Sequence, residues 1–310
     1  MNGNKVLVTG GFGNLGSYIV KNLIDLNYEV TILTRREKYK FENLKYKVVE
    51  CDTTNLEELK SKLNYDFDFC VHCASFNEFF LDNYPKKALE INTLGTRNLL
   101  EVLAKKGLKH FLYFSTFHVY GASGGIVDEN SPINPKNDYA STHLFAEYYI
   151  KQFFFTHKIN YTIIRLTNSY GVPLYKGTDK WYLVINDLSK VAFETKKIII
   201  KSNGEAKRDF IHMQDVAVVV DKLLQKTPTN DIYNLSSTKT YKIINLASIV
   251  KDVYEKRYNQ TIDISINKGD KNIYEDIFVD NKKLKNIIDF DTEEKIEESV
   301  NKIFDLLETI

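Results

Sequence analysis

The chain carries almost no net charge: 42 Lys and Arg stand against 41 Asp and Glu, which leaves +1 over 310 residues. A general nucleic-acid binder usually shows a basic excess or stripe, so this balance argues against one. Cysteine is scarce, and three of them, an odd number, make no disulfide framework. No apolar run reaches the length of a membrane span. The opening MNGNKVLVTGG lacks the cationic start, long apolar middle and small-residue cleavage site of a signal peptide. These absences lead to the expectation of a soluble cytoplasmic protein with neither membrane nor nucleic-acid partners. Apolar side chains are plentiful: hydrophobic residues make up 43% and aromatics 13%, which rules out disorder and supplies a sizeable core. The length suits one large α/β domain or two unequal ones.

The first half alternates short apolar runs with helical patterns. Strands are predicted at Lys5–Thr9, Glu29–Leu33, Lys47–Glu50, Phe67–His72, Phe111–Ser115 and Tyr161–Arg165. Between the first two, Leu15, Ile19, Leu23 and Leu26 recur at helical spacing, and longer helices are predicted over Pro85–Lys105 and Tyr139–His157. Such alternation means a parallel sheet with helices on both faces, and right-handed crossovers make it a Rossmann-like doubly wound α/β fold. After Gly171 the pattern changes. Val172–Lys180 reads as a loop, Ile198–Lys201 as a short strand, Ile232–Leu235 as a strand returning to the sheet, and Asn281–Leu307 as a closing helix. The expected organisation is a dinucleotide-binding domain over 1–171, with 208–235 returning to it, and a smaller C-terminal substrate-binding domain over 172–310.

Between the first strand and first helix stands Gly10-x-x-Gly13-x-x-Gly16, with Asn14 and Leu15 completing the turn. Gly10 permits a tight turn, Gly13 lets the backbone approach a pyrophosphate, and Gly16 lets helix pack on strand. The helix N-terminus offers free N–H groups and partial positive charge to the phosphates. Three glycines at this spacing are a weak signal alone; their place after an N-terminal strand and before an amphipathic helix makes them a dinucleotide-binding signature. The second strand ends in Thr34-Arg35-Arg36 without an acid to accept from a free ribose 2′-hydroxyl. Arginine there suits a 2′-phosphate, so NADP is expected, on Arg35 or Arg36, with NAD the alternative. The bland reading is a solvated basic loop, since Lys38 and Lys40 continue the charge. Asp52, with Thr53 beside it after the third strand, is placed to hold the adenine.

Five ordered motifs carry a resemblance over nearly the whole chain. They are TGGFGNLGSYI at the start, Asn92-Thr93-Leu94-Gly95-Thr96-Arg97-Asn98-Leu99-Leu100, Ser115-Thr116-Phe117-His118-Val119-Tyr120-Gly121, Arg165-Leu166-Thr167-Asn168-Ser169-Tyr170-Gly171, and Arg208-Asp209-Phe210-Ile211-His212 with Asp215-Val216-Ala217. Together they resemble the extended short-chain dehydrogenase/reductases of the nucleotide-sugar epimerase/dehydratase group. The resemblance implies that Thr116 hydrogen-bonds the sugar C4 oxygen, and that Tyr139 is the acid/base on that oxygen. It further implies that Asn168 and Arg208 bind the diphosphate of a nucleotide sugar, and that the chain forms a homodimer. Hydride leaves a carbinol carbon only as its oxygen loses a proton, so the phenol, with an ordinary pKa of about 10, has to be partly ionised.

Two departures from the family pattern matter. The lysine of the family's Y-x-x-x-K, a permanent cation that binds the nicotinamide ribose and lowers the tyrosine pKa, is replaced here by His143. Histidine, with an ordinary pKa of about 6.5, is mostly neutral at pH 7. It can hydrogen-bond ribose and, if protonated, stabilise tyrosinate. A working enzyme, a slow one and a non-catalytic binding protein all stay open at this point. The second departure is Phe117-His118, where family 4,6-dehydratases carry Asp-Glu to protonate and expel a hydroxyl. Phenylalanine cannot do that, which leaves C4 chemistry: 4-epimerisation, or reduction of a 4-keto sugar.

Other signals are weighed down by simpler readings. Cys70-Val71-His72-Cys73 has too few further ligands for structural zinc and lies on a strand, so buried cysteines are expected. Phe153-Phe154-Phe155 is read as core or dimer packing. Trp181-Tyr182 fits a substrate pocket or the core equally, and Glu293–Lys302 is read as a solvated helix face.

Overall fold

A computed structural model describes residues 3–35, 41, 44–77, 84–174 and 181–309. The chain begins β1 (Lys5–Thr9), α1 (Asn14–Asp25), β2 (Glu29–Thr34), β3 (Lys47–Glu50), α2 (Leu56–Lys62) and β4 (Phe69–His72). Next come α3 (Tyr84–Ala88), a π-helical stretch Leu89–Leu94, α4 (Gly95–Leu103), β5 (His110–Thr116) and a 3-10 turn Phe117–Tyr120. There follow β6 (Gly125–Val127), α5 (Asp138–His157), β7 (Tyr161–Leu166), β8 (Asn168–Tyr170), α6 (Val184–Thr195), β9 (Lys197–Ile200) and β10 (Lys207–His212). The rest is α7 (Met213–Leu224), β11 (Asp231–Leu235), β12 (Thr240–Lys242), α8 (Ile243–Tyr258), β13 (Asp263–Ile266), β14 (Ile277–Val279), α9 (Lys282–Lys285) and α10 (Ile296–Leu307).

Seven parallel strands form the main sheet in the order β11-β7-β5-β4-β1-β2-β3. Strand pleating sends successive side chains to opposite faces. Val6 and Val8 accordingly join the core under α1 and α7, while Leu7 joins the core under α2, α4 and α5. Burial on both faces is why these strands read as continuous apolar runs rather than alternating ones. Strand order reverses between β1 and β4, and the crevice outside the carboxyl ends at such a switch point is where open α/β sheets bind ligands. Helix ends are set locally. Asn137 caps α5 by accepting from the Ala140 N–H at 2.9 Å, and Lys158 closes it in the left-handed region at φ +60°.

Three smaller sheets and a third core build the other half of the molecule, mostly from residues past 171, with β6 and β8 lent from before it. Ile185 and Leu188 of α6, Val250 and Tyr254 of α8, and Val300 and Phe304 of α10 meet there. The segment 208–235 divides its allegiance. β10 pairs with β8 and β12 in a three-stranded sheet, whereas α7 packs on α1 and β11 closes the main sheet. The single closing helix expected over Asn281–Leu307 is two helices, α9 and α10, with 286–295 between them. Tertiary contacts break it: Ile288 and Phe290 insert into the α1/α7 core, Lys295 N–H donates to the Tyr170 hydroxyl, and Glu293 N–H donates to Asp215. Hence Glu293 and Lys295 lie ahead of α10, whereas Glu297, Glu298, Asn301 and Lys302 lie on its solvated face. The helix expected over Pro85–Lys105 is continuous but loosens into π geometry at Leu89–Leu94.

Candidate active site

At the carboxyl end of β1 the backbone does the building. Gly10 has φ +67°, and a Cβ there would sit 2.8 Å from Ala74 N, so only glycine fits between β1 and the chain leaving β4. A Cβ on Gly16 would collide with the Gly10 carbonyl oxygen. Gly13 differs: among the described residues its Cβ would meet only the Gly10 oxygen, at 3.1 Å, and the other side is open. α1 starts at this residue with no side chain capping it and no acid in its first turn, so its positive end is presented to the loop. Asn14 is buried and Leu15 half-buried at that turn.

Beneath the loop a buried hydrogen-bond chain has one consistent direction. Ala74 N–H donates to Thr9 Oγ1, which leaves the Thr9 hydroxyl to donate to His72 Nδ1 at 2.6 Å. His72 Nε2–H then donates to Thr96 Oγ1 at 2.9 Å, and Thr96 donates to the Asn92 carbonyl. Burial pushes His72 down to about 3, so it stays neutral and keeps this tautomer. The π-helical Asn92 extends the clamp: its amide brackets Phe76 N–H and C=O and donates to Thr142 of α5. None of this was legible in the motifs, although both Asn92 and Thr96 belong to one.

At the other end of the crevice, β2 ends at Thr34 and Arg35 is exposed; Arg36 lies outside the described residues. Asp52 is half-buried, with Oδ1 accepting from Thr54 N–H and Oγ1 at 2.9 Å each. Thr53 is buried against Gly95, and its carbonyl accepts from Asn98 at 3.1 Å.

The carboxyl end of β5 faces the first turn of α5. Thr116, buried, caps the 3-10 turn by accepting from His118 N–H, and its side chain favours the ionised form of the Tyr139 phenol. Burial pushes Tyr139 up to about 12, with Tyr84 and Tyr182 adding to the rise and the Thr116 side chain opposing it. One turn along α5 lies His143, its ring 4.6 Å from that of Tyr139 at 67°. Nδ1 is 2.6 Å from the Tyr113 hydroxyl, and Nε2, buried, has no hydrogen-bond partner among the described residues. Burial and then His118 push His143 down to about 3. The imidazole is therefore neutral at pH 7, and the cationic role open to it on sequence grounds finds no support.

The two elements are locked together from below. Glu147, fully buried on α5, accepts from Ser115 of β5 at 2.5 Å and pairs bidentately with Arg165 of β7 at 3.0 and 2.7 Å. The guanidinium lies 4.7 Å from the Tyr120 ring. Such a fork fixes α5 against the strands that carry Thr116.

Asn168 and Arg208 stand on the neighbouring strands β8 and β10. Asn168 donates to the Asp209 carbonyl at 3.0 Å. Arg208 is exposed, and its charge reaches His118, which desolvation and then Arg208 push down to about 4. Tyr182 bonds Asn77 and bears on Tyr139, so it faces the site, whereas Trp181 packs on the third core with Lys190 5.4 Å from its ring. The cysteines are free: Cys51 and Cys70 are buried, and Cys73 is partly so. Among the described residues no group of three or more His, Cys, Asp or Glu is arranged to hold a metal, and no helix is long and apolar enough to cross a membrane.

Residues 6–236 match the model of the NAD dependent epimerase/dehydratase family. A putative UDP-glucose 4-epimerase of Methanocaldococcus jannaschii is 32% identical over 252 residues, covering 79% of this chain and 81% of the relative. The dTDP-D-glucose 4,6-dehydratase of Mus musculus is 27% identical over 268 residues, covering 78% and 71%. Among solved structures, the UDP-glucose 4-epimerase of Thermus thermophilus in complex with NAD superimposes with a TM-score of 0.80 at 20% identity, over 97% of this chain and 99% of that one.

Proposed function

Because the chain belongs to the NAD dependent epimerase/dehydratase family, we propose that it acts with a nicotinamide cofactor at C4 of a nucleotide sugar, as a 4-epimerase or a reductase of a 4-keto sugar. The observation that carries this reading is the placing of Thr116, at the end of β5, and Tyr139, in the first turn of α5, at the switch-point crevice with His143 beside the Tyr139 ring, and with Phe117-His118 in the place of the acid and base of dehydration. We assign 1–171, with 208–235, to the dinucleotide and 172–310 to the sugar.

The residues present fit a dinucleotide: the open side of Gly13 and the uncapped start of α1 suit its pyrophosphate, and the unpartnered His143 Nε2 suits a ribose hydroxyl. When bound, the nicotinamide supplies hydride acceptance and return at C4. The chain supplies the rest. Tyr139 takes the proton of the C4 hydroxyl on oxidation and restores it on reduction, and Thr116 holds that oxygen. Arg208, exposed at the end of the cleft, and Asn168 hold the diphosphate. The absence of an acid after β2 and the exposed Arg35 support NADP; NAD, as in the Thermus protein, is the alternative. The exposed Phe145, Tyr148 and Phe155 on α5, with Leu89 and Leu94, support a homodimer packed on this face.

A second reading is favoured by one observation. The phenol stands at about 12 beside a neutral histidine, with no lysine to draw it down. This reading is a cofactor- and sugar-binding protein with little turnover. The test is to incubate purified protein with NADPH or NADH and 4-keto nucleotide sugars, following nicotinamide absorbance, and with common nucleotide sugars and NAD, following epimers by NMR. Turnover abolished by Tyr139→Phe supports the enzyme. Binding without turnover supports the second reading, and absence of dinucleotide binding overturns both.

A further inference from the structure

The Tyr113 hydroxyl is buried in the middle of β5, and its hydrogen-bond partner is His143 Nδ1, at 2.6 Å. A buried phenol O–H left without an acceptor is costly, because nothing replaces the water it gave up. His143 Nδ1 offers it the acceptor, provided that nitrogen carries no proton. A neutral imidazole has one N–H, so donation by Tyr113 puts the proton on Nε2. That nitrogen is shielded from water and has no partner among the described residues. The opposite tautomer would leave the Tyr113 hydrogen without an acceptor and make Nε2 a lone pair. The Tyr113 ring is itself held, stacked 5.5 Å from His72, whose own tautomer the Thr9–Thr96 chain sets. Thus a chain of neutral, fully buried rings runs from under the glycine loop to the Tyr139 phenol.

From this arrangement we infer that Tyr113 is a positioning residue that fixes His143 as an Nε2–H donor toward a ribose hydroxyl oxygen of the dinucleotide. The inference rests on the dinucleotide reading above and deepens it. Where the family uses a flexible, charged lysine, this chain uses a neutral donor whose direction a second side chain decides. Lysine needs no such partner, because all its hydrogens rotate to find an acceptor. The Tyr113–His143 pair therefore acts as a unit, and the role of Tyr113 vanishes when His143 does.

Two measurements test it. In 15N-labelled protein, long-range 1H–15N correlation of the six histidines, with His143 assigned by its loss in His143→Lys, is expected to show Nε2 protonated and Nδ1 bare. An Nδ1–H His143 overturns the inference whatever the protein binds. Dinucleotide affinity, read by NADH and NADPH fluorescence, is expected to fall roughly tenfold in Tyr113→Phe, and by less than about twofold when the same change is made in His143→Lys. Equal losses in the two backgrounds would make Tyr113 a mere packing residue and overturn the inference. If the wild type binds neither dinucleotide, the functional reading fails and the ribose partner with it; the tautomer still decides whether Tyr113 fixes the ring. Tyr113→Phe keeps the buried ring, and should it not fold, the wild-type spectrum alone still supports or overturns the assigned tautomer.

Discussion

The two ends of one crevice are built by different means. At the glycine loop, backbone sterics decide the shape: Gly10 and Gly16 lack room for a Cβ, and Gly13 has its only near neighbour 3.1 Å away. At the Tyr139 end, side chains from β5, α5 and β7 decide it through Thr116, Tyr113, Glu147 and Arg165. The first kind of site needs specific residue types at specific spacings and tolerates little. The second admits a substitution such as lysine to histidine, provided the surrounding groups can satisfy the newcomer. The glycine loop resembles the family pattern, and the departure at His143 falls at the end that side chains build.

Substitutions at each end put this contrast at risk. The largest effect is expected from Tyr139→Phe, which should lower any turnover by about 10²–10⁴-fold with dinucleotide binding retained, as read by steady-state kinetics and fluorescence. Turnover persisting within a few-fold would remove the phenol from the chemistry. Glu147→Ala should come next. It strands the buried Arg165 charge, so urea unfolding is expected to report a loss of about 3–5 kcal/mol. A loss below about 1 kcal/mol would mean that the fork does not hold α5.

Within the loop itself the glycines should split. Gly16→Ala forces apart the Gly10 carbonyl and α1, at a cost of about 1–3 kcal/mol of stability. Gly13→Ala should leave thermal stability within about 1 kcal/mol, since its Cβ meets little of the described chain, while weakening dinucleotide binding if the proposed pyrophosphate site is right. Equal melting temperatures for the two variants would contradict the steric account.

The smallest effects concern charge. His143, with a folded pKa of about 3 against an ordinary value of about 6.5, binds its proton more weakly folded than unfolded. Its contribution to stability is complete above pH 6.5 and is lost as pH falls toward 3; His72, at about 3, and His110, at about 4, act in the same direction. Stability should therefore decline below about pH 6.5. Turnover should show no step near that pH from His143, and a fall in rate with rising pH through it, absent in His143→Lys, would restore the cationic role. Finally, Arg35→Ala should weaken NADPH by several-fold and leave NADH unchanged; equal effects on both would count against a 2′-phosphate contact.

Much of this was legible in the chain. The apolar runs that became β1, β2, β4, β5, β7 and β11 are buried on two faces and flanked by helical periodicity, so local pattern and tertiary environment agree; β3, at the sheet edge, is only half-buried. The glycine spacing likewise carries its own geometry. The closing segment was not legible, because Ile288 and Phe290 fit a helical pattern equally well until the α1/α7 core claims them. Tyr113 was hidden too, reading as one more apolar position in HFLYFST.

Residue order alone was enough for the alternation of strand and helix, the tight glycine turn after β1 and the family, since each depends on residues close together along the chain or on spacing. The protonation of His143, the partner of Tyr113 and the burial of the Glu147–Arg165 fork emerged only once the chain was folded. Those properties depend on which groups surround a site and how far water is excluded from it, and the groups in question come from strands and helices distant in sequence.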